Sequence, residues 1–144
     1  MEPWELGARE NIRETIARYA HAADTGRFDE LASLFAPEGV LEVANEPPLV
    51  GRDAIREYLE GVGVALAGAT TVPLIRHHTS SVSIDVVGPD EARARCYFLA
   101  ITEHGVDHWG RYRDNFVHLG DAWLFAHRRV RTDGTTPGGW AASR

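Results

Sequence analysis

The stretch RHHTSSVSIDVV, residues 76–87, divides the sequence into two textures. Upstream of it apolar residues recur at helical spacing; from it onward they alternate, as they do along strands with one buried face. Four strand-like runs follow one another at 76–87, 92–103, 108–119 and 122–131, separated by the turn signals GPDE, HGVD and GD. On the upstream side, ENIRETIARYAHAAD (10–24) places Ile12, Ile16, Tyr19, Ala20 and Ala23 on one helical stripe, with Gly26 as its stop. FDELASLF (28–35) reads as a second short helix and GVLEVA (39–44) as a short strand. GRDAIREYLEGV (51–62) reads as a third helix, with Ile55, Tyr58, Leu59 and Val62 on one side. Helices first and an antiparallel meander afterwards predict an α+β domain with the helices packed on one face of the sheet. Such a sheet, if curled, encloses a pocket.

The 144 residues, 44% hydrophobic and 25% charged, fit one globular domain. That domain is expected over 1–131, with 132–144 as a flexible C-terminal tail in which Trp140 marks a docked part. No apolar run approaches the roughly 20 residues of a membrane helix. The opening MEPWELGARENIRE is charged and lacks an apolar signal core, so a cytoplasmic protein is expected. Cys96 stands alone and has no internal disulfide partner. A net charge of −6 argues against a nucleic-acid surface, and the one basic cluster, HRRVR at 127–131, reads as a solvated or paired face.

Familiar catalytic signatures are missing. The glycines of GVGVALAG follow a helix rather than a strand, so they form no dinucleotide fingerprint. There is no phosphate loop, no GxSxG elbow and no HExxH. His104, Asp107 and His108 lie close enough together to raise a metal site, but HGVD reads more simply as a hairpin turn facing water, and no metal is expected.

The histidines at 77 and 78 are a sharper question, because strand neighbours point to opposite faces. In an unbroken strand His78 shares a face with Val82, Ile84 and Val86, while His77 sits with Thr79, Ser81, Ser83 and Asp85. Parity thus favours His78 as the inward residue, unless a bulge around Ser80 to Ser83 switches the faces midway. On the first helix, Tyr19, His21 and Asp24 crowd the last turns. Asp24 at a helix end can equally bond local backbone.

Taken together, Tyr19 and Asp24, FDELASLF, GRDAIREYL, RHHTSSVSI, GRYRDNF and DAWLFAHRRV resemble the SnoaL-like branch of the nuclear transport factor 2-like superfamily, from about residue 8 to 131. The resemblance implies a cone-like, curved, mixed but mostly antiparallel sheet with three N-terminal helices on its concave face. The layout is most similar to the scytalone dehydratase, hexachlorocyclohexane dehydrochlorinase and bile-acid dehydratase branch, whose enzymes use an aspartate–histidine pair without a cofactor. Anchored on LASLF, the aspartate falls on Asp24; anchored on the histidine-bearing strand, the histidine falls on His77, with Ser81 where asparagine is common. Tyr19 matches a helix position that often handles protons. Ala23 and Val43 replace substrate-gripping tyrosines of scytalone dehydratase, and Thr102 falls near its second histidine, so a different substrate is expected.

The resemblance therefore implies a cofactor-independent lyase or isomerase, with Asp24, His77 and Tyr19 catalytic, acting on a hydrophobic, cyclic, polyketide- or steroid-like metabolite. Tyr112, Tyr97, Tyr58, Ser81, Phe35, Phe98 and Asp114 are the candidate substrate-binding residues, phenols being suited to an enolate oxygen. Asp114 can alternatively be paired with a neighbouring arginine. A homodimer or homotrimer that covers the outer face of the sheet is expected. The alternatives from other classes are a non-catalytic small-molecule-binding domain and a small subunit of a larger oxidase.

Overall fold

A computed structural model describes residues 1–70 and 74–144. Helix α1 (Pro3–Asp24) starts with proline in its first turn, where the missing N–H has no intrahelical partner to lose. Ala8, Ile12, Thr15, Ile16, Tyr19 and Ala20 recur every three or four residues and are buried. Thr15 and Arg9 then fasten the helix to the sheet: Thr15 Oγ1 donates to the Trp123 carbonyl at 2.7 Å and Arg9 Nη1 to the Ile84 carbonyl at 2.7 Å. Gly26, at φ 70°, turns the chain just past Asp24, a left-handed conformation that costs glycine no Cβ clash.

Helix α2 (Phe28–Ser33) is shorter than expected, because Phe35 opens strand β1 (Phe35–Val43) and pairs with Phe125. Burial of that ring outweighs continuation of the helix. β2 (Leu49–Val50) was not foreseen, and α3 (Arg52–Ala69) runs on well past Val62. β3 (Ile75–Gly88), β4 (Glu91–Thr102), β5 (Gly105–Leu119) and β6 (Ala122–Thr135) form the expected meander. The strand order is β2-β1-β6-β5-β4-β3, with β1 parallel to β6 and every other pair antiparallel. This is the expected mixed, mostly antiparallel curved sheet with helices on one side.

Two corrections concern the C-terminal segment and the interior of the sheet. The segment 132–144 is not a free tail: β6 continues to Thr135 because Thr132, Gly134 and Thr135 find partners in Gly110, Trp109 and His108. Beyond it the Thr136 N–H donates to the Asp107 carbonyl at 2.8 Å, and a short 3-10 turn (Ala141–Ser143) follows. The enclosed pocket expected inside the curl is largely occupied by rings. Tyr19 meets Phe35, Tyr112 and Phe125 edge-on at 6.3, 6.0 and 5.7 Å, Phe98 stacks on Tyr112 at 4.8 Å, and Phe116 lies 4.8 Å from Phe125. Each such buried ring contributes about 1.5–3 kcal/mol. Two grooves, of about 340 and 180 Å³, lie on the opposite, outer face.

Candidate functional site

β3 settles the choice between the histidines. Its pairing with β4 slips between Ser80 and Ser83, and Ser81 sits at φ 53°. Ahead of this bulge Ile75, His77 and Thr79 face in; after it Val82, Ile84 and Val86 do. His78 is exposed. The parity that favoured His78 fails because the extra residue exchanges the two faces.

Asp24, the last residue of α1, holds His77 at two points. Its Oδ1 lies 2.6 Å from His77 Nδ1, and its Oδ2 accepts the His77 backbone N–H at 3.0 Å. β3 is an edge strand, so this N–H lacks a neighbouring strand, and the helix end supplies its acceptor. With Nδ1–H donated to the carboxylate, Nε2 keeps its lone pair, the arrangement of a general base. Both side chains are largely sheltered, 16% exposed for His77 and 8% for Asp24, so solvent reaches the pair at the rim of the core.

A second aspartate–histidine pair stands beside the first, where a water-facing hairpin was expected. His104 does face water, but Asp107 and His108 are both buried. The β4–β5 register slips at this point, Ala100 pairing with His108 and Ile101 with Val106, so two consecutive residues turn inward. His108 Nδ1 lies 2.7 Å from Asp107 Oδ2, and the His108 ring centroid is 6.4 Å from that of His77. Asp107 also accepts the N–H groups of Trp140 at 2.6 Å and Ala141 at 3.1 Å. A Cβ at Gly139 would crowd Asp107 Oδ1, so glycine there lets the chain close over the carboxylate. Burial pushes the His108 pKa below its usual value, against the pull of Asp107. Burial would raise Asp107, but the bonds from His108, Ala141 and Trp140 together hold it below the usual carboxylate value.

Deeper in the core lies Arg128, fully buried, with Nε 3.0 Å from Asp114 Oδ1 and Nη2 3.4 Å from Oδ2. Its guanidinium carbon lies 3.5 Å from the Tyr112 ring centroid and 4.2 Å from that of Tyr19. Nη1 has no hydrogen-bond partner among the described residues. Burial raises the Asp114 pKa to about 6, with Arg128 opposing the rise. Burial likewise raises both phenols, again against Arg128.

The predicted residues thus divide. Asp24 and His77 meet, and His77 contacts Phe98 at 6.3 Å between ring centroids. Phe98 links them to Tyr112, which meets Tyr19; these phenols belong to the Arg128 cluster and lie one and two ring contacts beyond Phe98. Phe35 is core, and Tyr58 packs half-buried at its margin. Asp114 has the arginine partner weighed for it. Tyr97 and Ser81 are corrected: both stand on the outer face, Tyr97 because it alternates with buried Cys96 and Phe98, Ser81 because of the bulge. From sequence alone Asp107 and His108 read only as metal ligands or a water-facing turn, and Arg128 is passed over. The adjacent Asp–His and the 14-residue offset of Asp114 and Arg128 across one hairpin were visible, but neither says which side chains turn inward. Among the described residues, no three His, Cys, Asp or Glu side chains converge as metal ligands.

Comparison with known proteins shows the family and the fold. A family model described as the SnoaL-like domain matches residues 4–129. The structure of a putative scytalone dehydratase from Novosphingobium aromaticivorans is 30% identical, with TM-score 0.80 over 94% of this chain and 91% of that one. A Catenulispora acidiphila protein solved in complex with S-DNPA is 28% identical, with TM-score 0.72 over 88% and 93%. LinA, at 15% identity, shares the fold, with TM-score 0.80 over 92% and 90%. No curated protein matches the sequence.

Proposed function

This chain belongs to the SnoaL-like family, and from that membership together with the Asp24–His77 pair we propose that it is a cofactor-independent lyase or isomerase. The observation that carries the proposal is the double clamp of Asp24 on His77, 2.6 Å to Nδ1 and 3.0 Å to the backbone nitrogen. The family likeness to a putative scytalone dehydratase supports dehydration or double-bond migration.

In this scheme His77 Nε2 removes a proton from the carbon beside a carbonyl, leaving an enolate. Asp24 stabilises the imidazolium so formed. The imidazolium then returns the same proton. Delivered to a hydroxyl leaving the adjacent carbon, it gives water and a new C=C bond; delivered to another carbon, it moves the double bond. His108, neutral and held through Nδ1, has Nε2 free to accept a hydrogen bond from a substrate hydroxyl. In this reading the substrate displaces Phe98 and opens the ring-packed interior, so that Tyr19, Tyr112 and the Arg128 Nη1 hydrogens reach the enolate oxygen as donors. Phe98 and Tyr58 offer the apolar surface that suits a hydrophobic ring, with Phe35 packed behind them in the core. The partners in this reading are that metabolite and further copies of the chain, as a homodimer or homotrimer joined through Leu99, Ile101, Val106 and Trp109 at the apolar end of the outer face.

The base can be tested before the natural substrate is found. 5-Nitrobenzisoxazole opens to a coloured nitrophenolate when one C–H proton is removed. The native protein should open it with saturable kinetics, and His77→Ala should lose about 10²–10⁴-fold of that rate. A rate no greater than that of free imidazole at equal concentration, or one unchanged by His77→Ala, would contradict the proposal.

A further inference from the structure

We infer that the outer face of the sheet carries an oxyanion site, built on Arg95, Arg113 and Arg131 with Ser81, Ser83 and Tyr97, for a small molecule bearing two or more phosphate or carboxylate groups. The site is separate from the Asp24–His77 pair and does not depend on the function proposed for it.

All fifteen basic side chains of this acidic chain, net charge −6, are arginines. Six of them stand at the outward, odd-numbered positions of three adjacent strands: Arg93 and Arg95 on β4, Arg111 and Arg113 on β5, Arg129 and Arg131 on β6. The strand registers line them up. Ser83 pairs with Arg95, Arg95 with Arg113, and Arg113 with Arg129; in the next row Tyr97 pairs with Arg111, and Arg111 with Arg131. A single strand shows only alternation, so this patch is invisible until the strands lie side by side.

Like charges directly opposite one another on a sheet are destabilising, and three of the six are relieved within the chain. Arg93 reaches Asp85 at 3.3 Å, Arg111 reaches Asp133 at 3.6 Å, and Arg129 reaches Glu42 at 3.5 Å and Asn115 at 3.0 Å. Arg95, Arg113 and Arg131 are exposed and have no ion pair among the described residues. Between them the surface is hollow. The groove of about 340 Å³ is bounded by Ser81, Ser83, Arg95, Tyr97, Arg111 and Arg113, and the last two arginines also wall the neighbouring groove of about 180 Å³ with Arg131. The β3 bulge, which turns His77 inward, is also what sets Ser81 and Ser83 on this groove.

Planar guanidinium forks match phosphate and carboxylate oxygens two at a time, and the flanking hydroxyls add neutral donors. A groove of this size suits a small ligand. Asp85, Asp133 and Glu42 flank the patch, so a nucleic acid laid across the face would meet carboxylates on both sides. A second copy centred on these rows would set arginine against arginine, whereas the contact proposed above between copies lies at the apolar end of the face.

Isothermal titration of the full chain with inorganic pyrophosphate, and separately with citrate, at constant ionic strength set by sodium chloride, tests the site and tells phosphate from carboxylate chemistry. Saturable one-to-one binding of either anion is expected. Arg113→Gln and Arg95→Gln should each weaken it about tenfold, the loss of one charge-assisted hydrogen bond, while Arg18→Gln on α1 leaves it unchanged. Circular dichroism confirms that the outer-face variants are folded. No saturable heat with either anion, or equal affinity in native, Arg113→Gln and Arg95→Gln proteins, would overturn the proposal. So would sedimentation showing that a second copy covers the face and is released by Arg113→Gln, or an oligonucleotide that binds there more tightly than either anion.

Discussion

Two imidazoles in this protein are gripped by carboxylates through Nδ1, and burial makes them differ. His77 lies at the rim with Asp24, whereas His108 is more deeply buried with Asp107, itself held by the backbone of Trp140 and Ala141. Because burial depresses the His108 pKa, the unfolded chain binds a proton there at higher pH than the folded one. Stability from this group is therefore complete above its usual value of 6.5 and is lost as pH falls from there toward the depressed folded value. Asp107 adds a loss of the same sign only below the ordinary carboxylate range. Asp114, raised to about 6, works in the opposite direction, gaining folded-state protons as pH falls through that value. The informative quantity is thus a difference. Urea unfolding at about pH 7.5 and pH 5 should show His108→Gln losing less stability on acidification than the native chain. Identical pH dependence in the two proteins would show that His108 is not buried neutral.

At the level of elements, periodicity exposed most of the fold: the stripe of α1, the meander and three of its turns were legible because helix and strand periods differ. The bulges were legible only in part: one around Ser80 to Ser83 was weighed as the way to turn His77 inward, though the alternation did not require it, and the one in β5 was not raised. Each adds one residue to a strand without changing its composition, yet each decides a feature of the site. The β3 bulge sends His77 rather than His78 inward, against the alternation of the sequence, and the family resemblance was the better guide there. The β5 bulge buries Asp107 beside His108, where a turn reading placed them in water. β2 escaped notice because two residues carry no period, and the extension of β6 to Thr135 because its partners lie on another strand. Asp24 was legible through the family resemblance, since an aspartate at a helix end can equally bond local backbone; Arg128 was not, since HRRVR alone does not say that its second residue turns in to Asp114 while the third turns out to Glu42.

Across the whole molecule the two faces of one sheet are set to different tasks: the inner face packs rings around a buried arginine, and the outer face gathers the unpaired ones. Its far end is apolar, with Leu99 opposite Trp109 and Ile101 opposite Val106, and Trp109 and Val106 remain 41% and 44% exposed. If copies associate there, Val106→Glu should reduce the sedimenting mass from dimer or trimer to monomer without loss of the folded circular dichroism spectrum; an unchanged oligomer, or a native monomer, would place the contact elsewhere or nowhere. The chemistry proposed for the inner face rests on the contact between the end of α1 and the start of β3. Nitrogen-15 spectroscopy of the His77 ring, assigned by its disappearance in His77→Gln, reports that contact without any substrate. The native protein should hold a single neutral tautomer with the proton on Nδ1, and Asp24→Asn should abolish that preference. A proton on Nε2, or the same tautomer mixture in both proteins, would contradict the clamp and the base it creates.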